Sequence, residues 1–253
     1  MKTEILYGIH PVYEALSAGR RRVYKVYRAQ DKKIGRLEPI MSLAESRHIA
    51  QQAIRVDDFK ALVGPALHQG VAARVSPYPL TALSDILQPV PAGDGGFFLL
   101  MLDHIVDPQN LGALIRTASC VGVDGVILPK DNCATPSPAV SRASAGALEH
   151  TRLCRVTNLV QTIKLCKNNG MWIMGLQKDA QQSLYEGDLT GSIAMVLGGE
   201  QKGIRPLVGK NCDFLLSIPQ QGPVDSLNAA AAGAVAMYEA WRQRRGAHVA
   251  AER

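Results

Sequence analysis

The stretch FFLLMLDHIVDPQNLGALIRTASCVGVDGVILP, residues 97–129, decides the fold of the larger part of this chain. It places two continuous apolar runs, FFLLMLDHI (97–105) and GVDGVILP (122–129), on either side of a helical stretch, NLGALIRTASCVG (110–122). A continuous apolar run is typical of a strand buried on both faces, and a helix between two such runs is typical of a parallel sheet. The segment therefore predicts a strand–helix–strand unit of an α/β fold.

The same pattern continues towards the C-terminus. Three more apolar runs and one more helical stretch follow: MWIMGLQ (171–177), SIAMVLGGE (192–200), FLLSIPQ (214–220) and NLVQTIKLCKNN (158–169). Ligands of open parallel sheets bind just beyond the carboxyl ends of the strands. This rule selects three candidate site loops: DHIVDPQN (103–110), LGGEQKG (197–203) and IPQQGPVDSLN (218–228).

A stretch rich in proline and glycine, PYPLTALSDILQPVPAGDGG (77–96), is typical of a linker. Before it, helical patterns in 11–19 and 36–50 alternate with strand patterns in 21–29 and 69–77, which predicts a small α/β module. We therefore predict one domain at 1–76, a linker at 77–96 and a second domain at 97–253.

The net charge of +6 is concentrated in the N-terminal module. Residues 1–76 hold 13 Lys and Arg against 7 Asp and Glu, whereas the remaining 177 residues hold 15 of each. Much of the excess lies in GRRRVYKVYRAQDKK (19–33), where tyrosines alternate with basic residues. On these residues alone two interpretations stay open: a nucleic-acid surface, or an edge strand kept soluble by its charges.

Several functions are disfavoured by the sequence. The chain has neither an apolar run of 18 residues nor the order of a signal peptide, so we expect a soluble, cytoplasmic protein. Five cysteines, never closer than 12 positions, predict neither disulfides nor a metal site, and we expect reduced, buried thiols. The loop 198–203 lacks a glycine that a dinucleotide fingerprint requires, and Gly203 to Gly209 is one residue too long for a P-loop. We interpret His104 as structural, because no serine or cysteine nucleophile stands near it.

Polar residues stand at the ends of the apolar runs. They are Asn110, Arg116, Glu200, Ser226 and Asn228. Each one alone has a structural interpretation: Asn110, Ser226 and Asn228 would cap helices, Arg116 would lie on the surface, and Glu200 would be a loop charge.

Three segments taken together closely resemble the three motifs of the SpoU family of RNA ribose 2′-O-methyltransferases. They are DPQNLGALIRTASCVGVDGVILP (107–129), MVLGGEQKGI (195–204) and LLSIPQQGPVDSLNAAAAGAVAMYEA (215–240). The front end, with YGIHPVYEAL (7–16) and HQGVAARVSPY (68–78), resembles the members that methylate a guanosine of bacterial 23S rRNA, in the P-loop of the peptidyl-transferase region.

The resemblance implies a trefoil-knotted, SPOUT-type methyltransferase domain with a parallel sheet, usually a homodimer, which binds S-adenosylmethionine in the knot without a metal. It also implies a small, ribosomal-protein-like α/β domain that binds 23S rRNA. The implied catalytic residues are Asn110, Arg116, Glu200, Ser226 and Asn228, and the implied cofactor contacts are Gly198, Gly199, Ile218 and Leu227. With the resemblance, the RNA interpretation of the basic segment is favoured, and we expect RNA contacts from Arg20, Arg21, Arg22, Lys25 and Arg28.

Some questions stay open at this level. Family members commonly carry a serine soon after the Leu-Asn pair, where this chain has Ala229–Ala232. The resemblance implies a catalytic role for Arg116, either as the general base or as a cation that binds phosphate and stabilises the alkoxide, and we expect Glu200 to orient Arg116 or Asn110. The alternative functions are a SpoU enzyme acting on tRNA or another rRNA nucleotide, and an inactive RNA-binding scaffold.

Overall fold

The structure is a computed structural model that describes residues 2–30, 35–64, 69–88, 96–200, 202–223 and 226–251. It consists of two compact units. The first comprises Met1–Pro79 and Thr135–His150, and the second comprises Leu80–Ala134 and Thr151–Arg253.

The helices and strands of the described residues are numbered in chain order. Up to residue 79 they are β1 (Glu4–Tyr7), α1 (Ile9–Ala18), β2 (Val23–Ala29), α2 (Glu38–Ser46), β3 (Ala50–Ile54), α3 (Val56–Val63) and β4 (Val71–Val75). From residue 80 they are α4 (Leu83–Ile86), β5 (Phe98–Asp103), α5 (Pro108–Cys120), β6 (Gly125–Pro129), α6 (Pro138–Ala143), β7 (Leu153–Val156), α7 (Leu159–Asn168), β8 (Trp172–Leu176), β9 (Gln182–Ser183), β10 (Ile193–Gly198), α8 (Pro206–Gly209), β11 (Phe214–Ser217) and α9 (Ala229–Ala251).

The first unit is a four-stranded sheet in the order β1-β4-β2-β3, with helices on both faces. Only β2 and β3 pair in parallel. Side chains alternate along β4: Val71 and Ala73 pack in the core that includes α1 and α2, whereas Ala72 packs with Phe59 of α3. The predicted small α/β module is therefore confirmed. The sequence patterns missed β3, because its residues AQQAI are polar and largely exposed.

The second unit is a seven-stranded sheet in the order β7-β6-β5-β10-β8-β11-β9. All of its strand pairs are parallel. Every residue of β5 and β10 is buried, so the apolar runs 97–105 and 192–200 contain buried parallel strands as predicted. In β11 only Leu216 is buried, so the run 214–220 is a parallel strand but not a buried one. The short strands β7 and β9 carried too little apolar pattern to be predicted.

Helices cover both faces of this sheet. On one face, Leu159 and Ile163 of α7 pack against Ile127 and Ile173. On the other, α5 packs on α9, and Gly233 of α9 makes the close approach possible, because a Cβ there would lie 2.3 Å from Leu114 Cδ2. No described helix has the length and apolar character needed to cross a bilayer.

The predicted linker has structure of its own. Residues 83–86 form α4, and Ile86 is fully buried in the core of the second unit. Residues 89–95 lie outside the described residues. The segment Thr135–His150 comes between β6 and β7 in the chain and belongs to the first unit. The functional domain boundaries at 76 and 97 stay predictions.

Candidate active site

The carboxyl ends of the two central strands lie side by side. Asp103, the last residue of β5, is the register partner of Gly198, the last residue of β10. From β5 the sheet continues through β6 and β7 in one direction and through β10 and β8 in the other, so this point is a topological switch point. Ligands of such sheets bind at switch points, beyond the strand ends.

Three side chains from the three predicted site loops form one hydrogen-bonded cluster. Glu200 Oε1 accepts from Nδ2 of both Asn110 and Asn228, the latter at 2.9 Å. Asn228 Nδ2 also lies 3.0 Å from Asn110 Oδ1. The expectation that Glu200 orients Asn110 agrees with this contact, and the cluster ties the first, second and third motifs together.

The helix caps differ in part from the sequence interpretation. Asp107, not Asn110, caps α5, since its carboxylate accepts from the backbone N–H groups of Gln109 and Asn110. Asn228 caps α9 by accepting from the N–H groups of Ala230 and Ala231 at 2.9 and 3.2 Å. The cap at the third motif is therefore Asn228 rather than Ser226, which leaves the exposed Ser226 hydroxyl at a cavity wall.

Gly198 and Gly199 are required by contacts between chain segments. A Cβ on Gly198 would lie 1.9 Å from the carbonyl carbon of Gly203, and a Cβ on Gly199 would lie 2.4 Å from the carbonyl oxygen of His104. The loop after β10 forms a tight turn that a Gly199–Gly203 bridge closes, and the absence of side chains at Gly198 and Gly199 makes these close contacts possible. The two glycines thus shape the site whether or not they also contact a ligand.

A first cavity of about 610 Å³ opens beside this turn. All four predicted cofactor contacts line it: Gly198, Gly199, Ile218 and Leu227. Glu200 and Ser226 line it as well, and so do Ala229 and Ala232 of the alanine run that departs from the family pattern.

Arg116 stands apart from the other predicted catalytic residues. It is exposed on α5 and lines neither of the two cavities at the strand ends. Six helical positions separate it from Asn110, which corresponds to about 120° around the helix axis. Within the described residues, the structure brings together Asn110, Glu200 and Asn228 but leaves Arg116 outside their cluster.

A second cavity of about 530 Å³ shares four turn residues with the first: Gly199, Glu200, Lys202 and Gly203. His104, Asn110 and Arg205 line it. Beneath them, the fully buried Asp103 carboxylate accepts from the Arg205 backbone N–H and Nε, both at 2.9 Å, and lies 2.9 Å from His104 Nδ1. Asp103 and Arg205 were not among the site residues predicted from the sequence. The available signal was an Asp-His pair directly after a buried strand.

The predicted RNA-contacting residues differ in their surroundings. Arg22 is exposed with its guanidinium over the Tyr24 ring, and Lys25 is half-buried with its Nζ 3.1 Å from Gln52 Oε1. Arg28 is half-buried. Arg20 is half-buried too, and its guanidinium contacts the hydroxyl and ring of Tyr78.

Arg21 was predicted from the sequence to contact RNA, and its position in the structure corrects that prediction. Its side chain is fully buried, with Nη1 2.6 Å from Glu4 Oε2 and Nε 2.8 Å from Glu149 Oε2. Burial raises the pKa of the Glu149 carboxyl above its ordinary value, although Arg21 and a hydrogen bond from Ser141 oppose that shift. The guanidinium therefore neutralises two carboxylates inside the first unit and is not presented to a ligand.

Several of the cysteines have thiols whose pKa is raised by burial, which makes them unreactive. Burial raises the pKa of Cys133 and Cys154 to about 11 and that of Cys166 to about 12, so these groups stay protonated thiols at neutral pH. Cys120 is exposed, which corrects the expectation that all five are buried. The described residues contain no group of three or more His, Cys, Asp or Glu that could hold a metal ion.

Comparison with known proteins matches both parts of the chain. The family model "SpoU rRNA Methylase family" matches residues 98–238, and "RNA 2'-O ribose methyltransferase substrate binding" matches residues 5–81. The 23S rRNA (guanosine-2'-O-)-methyltransferase RlmB of Photorhabdus laumondii is 38% identical over 245 residues, which cover 96% of this chain and 99% of the relative. RlmB of Escherichia coli K12 is 36% identical over the same shares of both chains.

A similar solved structure is the SpoU methyltransferase AviRb from Streptomyces viridochromogenes in complex with the cofactor AdoMet. It is 24% identical with a TM-score of 0.81, and the match covers 95% of this chain and 90% of AviRb. At this identity the likeness supports the α/β fold with its parallel sheet.

Proposed function

Because the chain belongs to the SpoU rRNA methylase family, we propose that it transfers a methyl group from S-adenosylmethionine to the 2′-hydroxyl of a guanosine ribose in 23S rRNA. The observation that carries this proposal is the Asn110–Glu200–Asn228 cluster, which joins the three motif loops at a switch point between two cavities. The RlmB relatives that align over almost the whole chain support guanosine and 23S rRNA as the substrate.

The first cavity suits the cofactor. Its volume of about 610 Å³ lies within the usual range for small-molecule sites. Apolar side chains, including Ile218 and Leu227, offer a surface for the adenine, and the backbone around Gly198 and Gly199 offers hydrogen-bonding groups. When bound there, S-adenosylmethionine supplies an electrophilic methyl group on its sulfonium.

The chain's own residues would position the acceptor ribose. Glu200 holds the two asparagine amides in fixed orientations, and a preoriented polar group contributes to catalysis because it does not reorganise during the reaction. Ser226, at the wall of the first cavity, adds a hydroxyl. Arg116 remains a proposed catalytic residue: a fixed guanidinium stabilises a developing alkoxide or binds phosphate, and it normally stays protonated.

RNA binding is assigned to the first unit. Its exposed and half-buried cations, with tyrosine rings beside them, suit contacts with phosphates and unpaired bases. The proposed contacts are Arg20, Arg22, Lys25 and Arg28, without the buried Arg21.

We further propose that the second unit contains the trefoil knot of SPOUT enzymes and that the protein acts as a homodimer in the cytoplasm, where ribosomal RNA is modified. Exposed apolar side chains on the second unit suit a partner surface: Val106 is 66% exposed and Tyr238 49%.

Ribose-methylation mapping of total RNA from cells that lack the protein tests this function. The expected result is the loss of one 2′-O-methylguanosine from 23S rRNA, restored when the wild-type gene is returned. Loss of a ribose methyl group from a tRNA instead would redirect the substrate, and unchanged methylation of all RNAs would refute the activity.

A further inference from the structure

His104 occupies a position in the second cavity that the proposed function does not yet use. Its backbone touches Gly199, and its side chain, 33% exposed, lines the cavity together with Asn110 and Glu200. His104 therefore lines the same cavity as two members of the polar cluster to which the acceptor ribose is assigned.

The orientation of the imidazole is fixed by the residue before it. A carboxylate only accepts hydrogen bonds, so the 2.9 Å contact between His104 Nδ1 and Asp103 Oδ1 places a proton on Nδ1. In the neutral ring, Nε2 then carries a free lone pair. Asp103 is itself held by Arg205, and its burial prevents water from competing for the contact.

The backbone of His104 is strained. Its φ of 63° lies in the left-handed region, which residues other than glycine seldom adopt. Such strain occurs preferentially at functional sites, where the surrounding structure maintains it.

Other titratable groups at this cavity are already engaged or protonated. The Glu200 carboxylate accepts from two asparagine amides, and the Asp107 carboxylate accepts from two backbone N–H groups. Lys202 and Arg205 are cations. Among the described residues lining this cavity, Nε2 of His104 is thus the available basic lone pair.

We propose that His104 Nε2 accepts the proton of the ribose 2′-hydroxyl during methyl transfer, an inference that rests on the proposed function. As the 2′-oxygen forms its bond to the methyl carbon, the carbon–sulfur bond breaks and its electron pair stays on sulfur. The hydroxyl proton passes to Nε2. The resulting imidazolium is stabilised by Asp103 and later releases the proton to water. Asp103 is the positioning residue, and Arg116 keeps the role of a cation.

Replacement of His104 by glycine tests the proposal, because glycine accepts the positive φ and leaves room for free imidazole. With 23S rRNA from the deletion strain as the substrate, the kcat of H104G for methyl transfer should be about 100-fold lower than that of wild type. The cofactor Kd should be unchanged. Added imidazole should raise the kcat of H104G about tenfold. The decrease in rate at low pH that wild type shows should be absent in H104G. The matched control is H48G, which removes an exposed histidine that also has positive φ, 55°.

A measurement without turnover complements the kinetics. In ¹⁵N NMR of histidine-labelled protein, His104 should carry its proton on Nδ1. An oligoribonucleotide spanning the mapped guanosine should shift the Nε2 signal, whereas the same oligonucleotide with 2′-deoxyguanosine there should not.

The outcomes separate this inference from the proposed function. Wild-type protein that methylates no RNA would refute the function. If the wild type is active, any of three results would overturn the role of His104. They are a rate of H104G within about threefold of wild type, a change in the cofactor Kd large enough to explain the loss of activity, and a loss of activity that imidazole does not restore. The NMR result that overturns it is a proton on Nε2, or an Nε2 signal that does not distinguish the two oligonucleotides.

Discussion

In the seven-stranded sheet the polar candidates stand beyond the strand ends, whereas in the four-stranded sheet the basic candidates lie along β2 and in the turn before it. The first arrangement gathers Asn110, Glu200 and Asn228 into one cluster although 118 positions separate the two asparagines. The second arrangement separates neighbours: Arg21 is buried between two carboxylates, and Arg22 is exposed.

The difference shows which sequence patterns predict where side chains lie in the folded protein. In a parallel sheet, topology alone brings the carboxyl ends of strands to one edge, so polar residues at these ends meet. A run of basic residues along a strand and its preceding turn does not reveal which charges face solvent. Charge density therefore predicts an RNA surface, but it counts the buried Arg21 among the cations that would form it.

The largest effect that would test this comparison is on stability. Arg21→Ala should lower the free energy of unfolding by about 3–5 kcal/mol, because it leaves Glu4 and the buried Glu149 without their cation. Urea unfolding measures the change. Arg22→Ala, one position along, should stay within about 0.5 kcal/mol of wild type. Equal losses in the two variants would mean that Arg21 and Arg22 do not differ as described.

Under the proposed role of Arg116 as a cation at the reacting oxygen, Arg116→Ala should reduce methyl transfer at least about 100-fold while the fold and the cofactor Kd stay close to wild type, because such a cation acts mainly in the transition state. Steady-state kinetics and calorimetry measure the two quantities. Lys164→Ala removes an exposed cation from another helix of the same unit and should have no effect. Activity of Arg116→Ala within about threefold of wild type would remove Arg116 from the mechanism.

Glu200→Gln keeps the shape of the side chain but replaces the charged acceptor of two hydrogen bonds by a neutral one. Hydrogen bonds to a charged group contribute about 1.5–3 kcal/mol, so kcat should fall roughly 10- to 100-fold. Glu45→Gln, at an exposed position of α2, is the control. A rate like that of wild type would show that the cluster does not depend on the carboxylate charge.

The smallest effect is expected in the salt dependence of RNA binding. Arg22→Ala combined with Lys25→Ala should flatten the slope of log K against log salt by about 1.4, since each contact with a single-stranded phosphate contributes about 0.7. The pair Lys164→Ala and Lys210→Ala removes the same charge from exposed positions of the second unit. Equal slopes for both double variants would make β2 a solvated strand rather than an RNA surface.

Much of the fold was determined by the sequence alone. Continuous apolar runs such as 97–105 predicted the buried parallel strands, because a strand covered on both faces has no polar side. Three polar residues were candidate site residues because they stand at the ends of such runs: Asn110, Glu200 and Asn228. The family followed from the order of three motifs, which needs no coordinates.

The tertiary structure decided what local pattern does not encode. It buried Arg21 with Glu149, a partner 128 positions away in a segment that joins the first unit. It also fixed the buried Asp103 carboxylate through Arg205, 102 positions away, and this carboxylate orients the imidazole of His104 at a cavity wall. Burial and hydrogen-bond partners depend on which distant segments pack together, and a residue's sequence neighbours do not determine that packing.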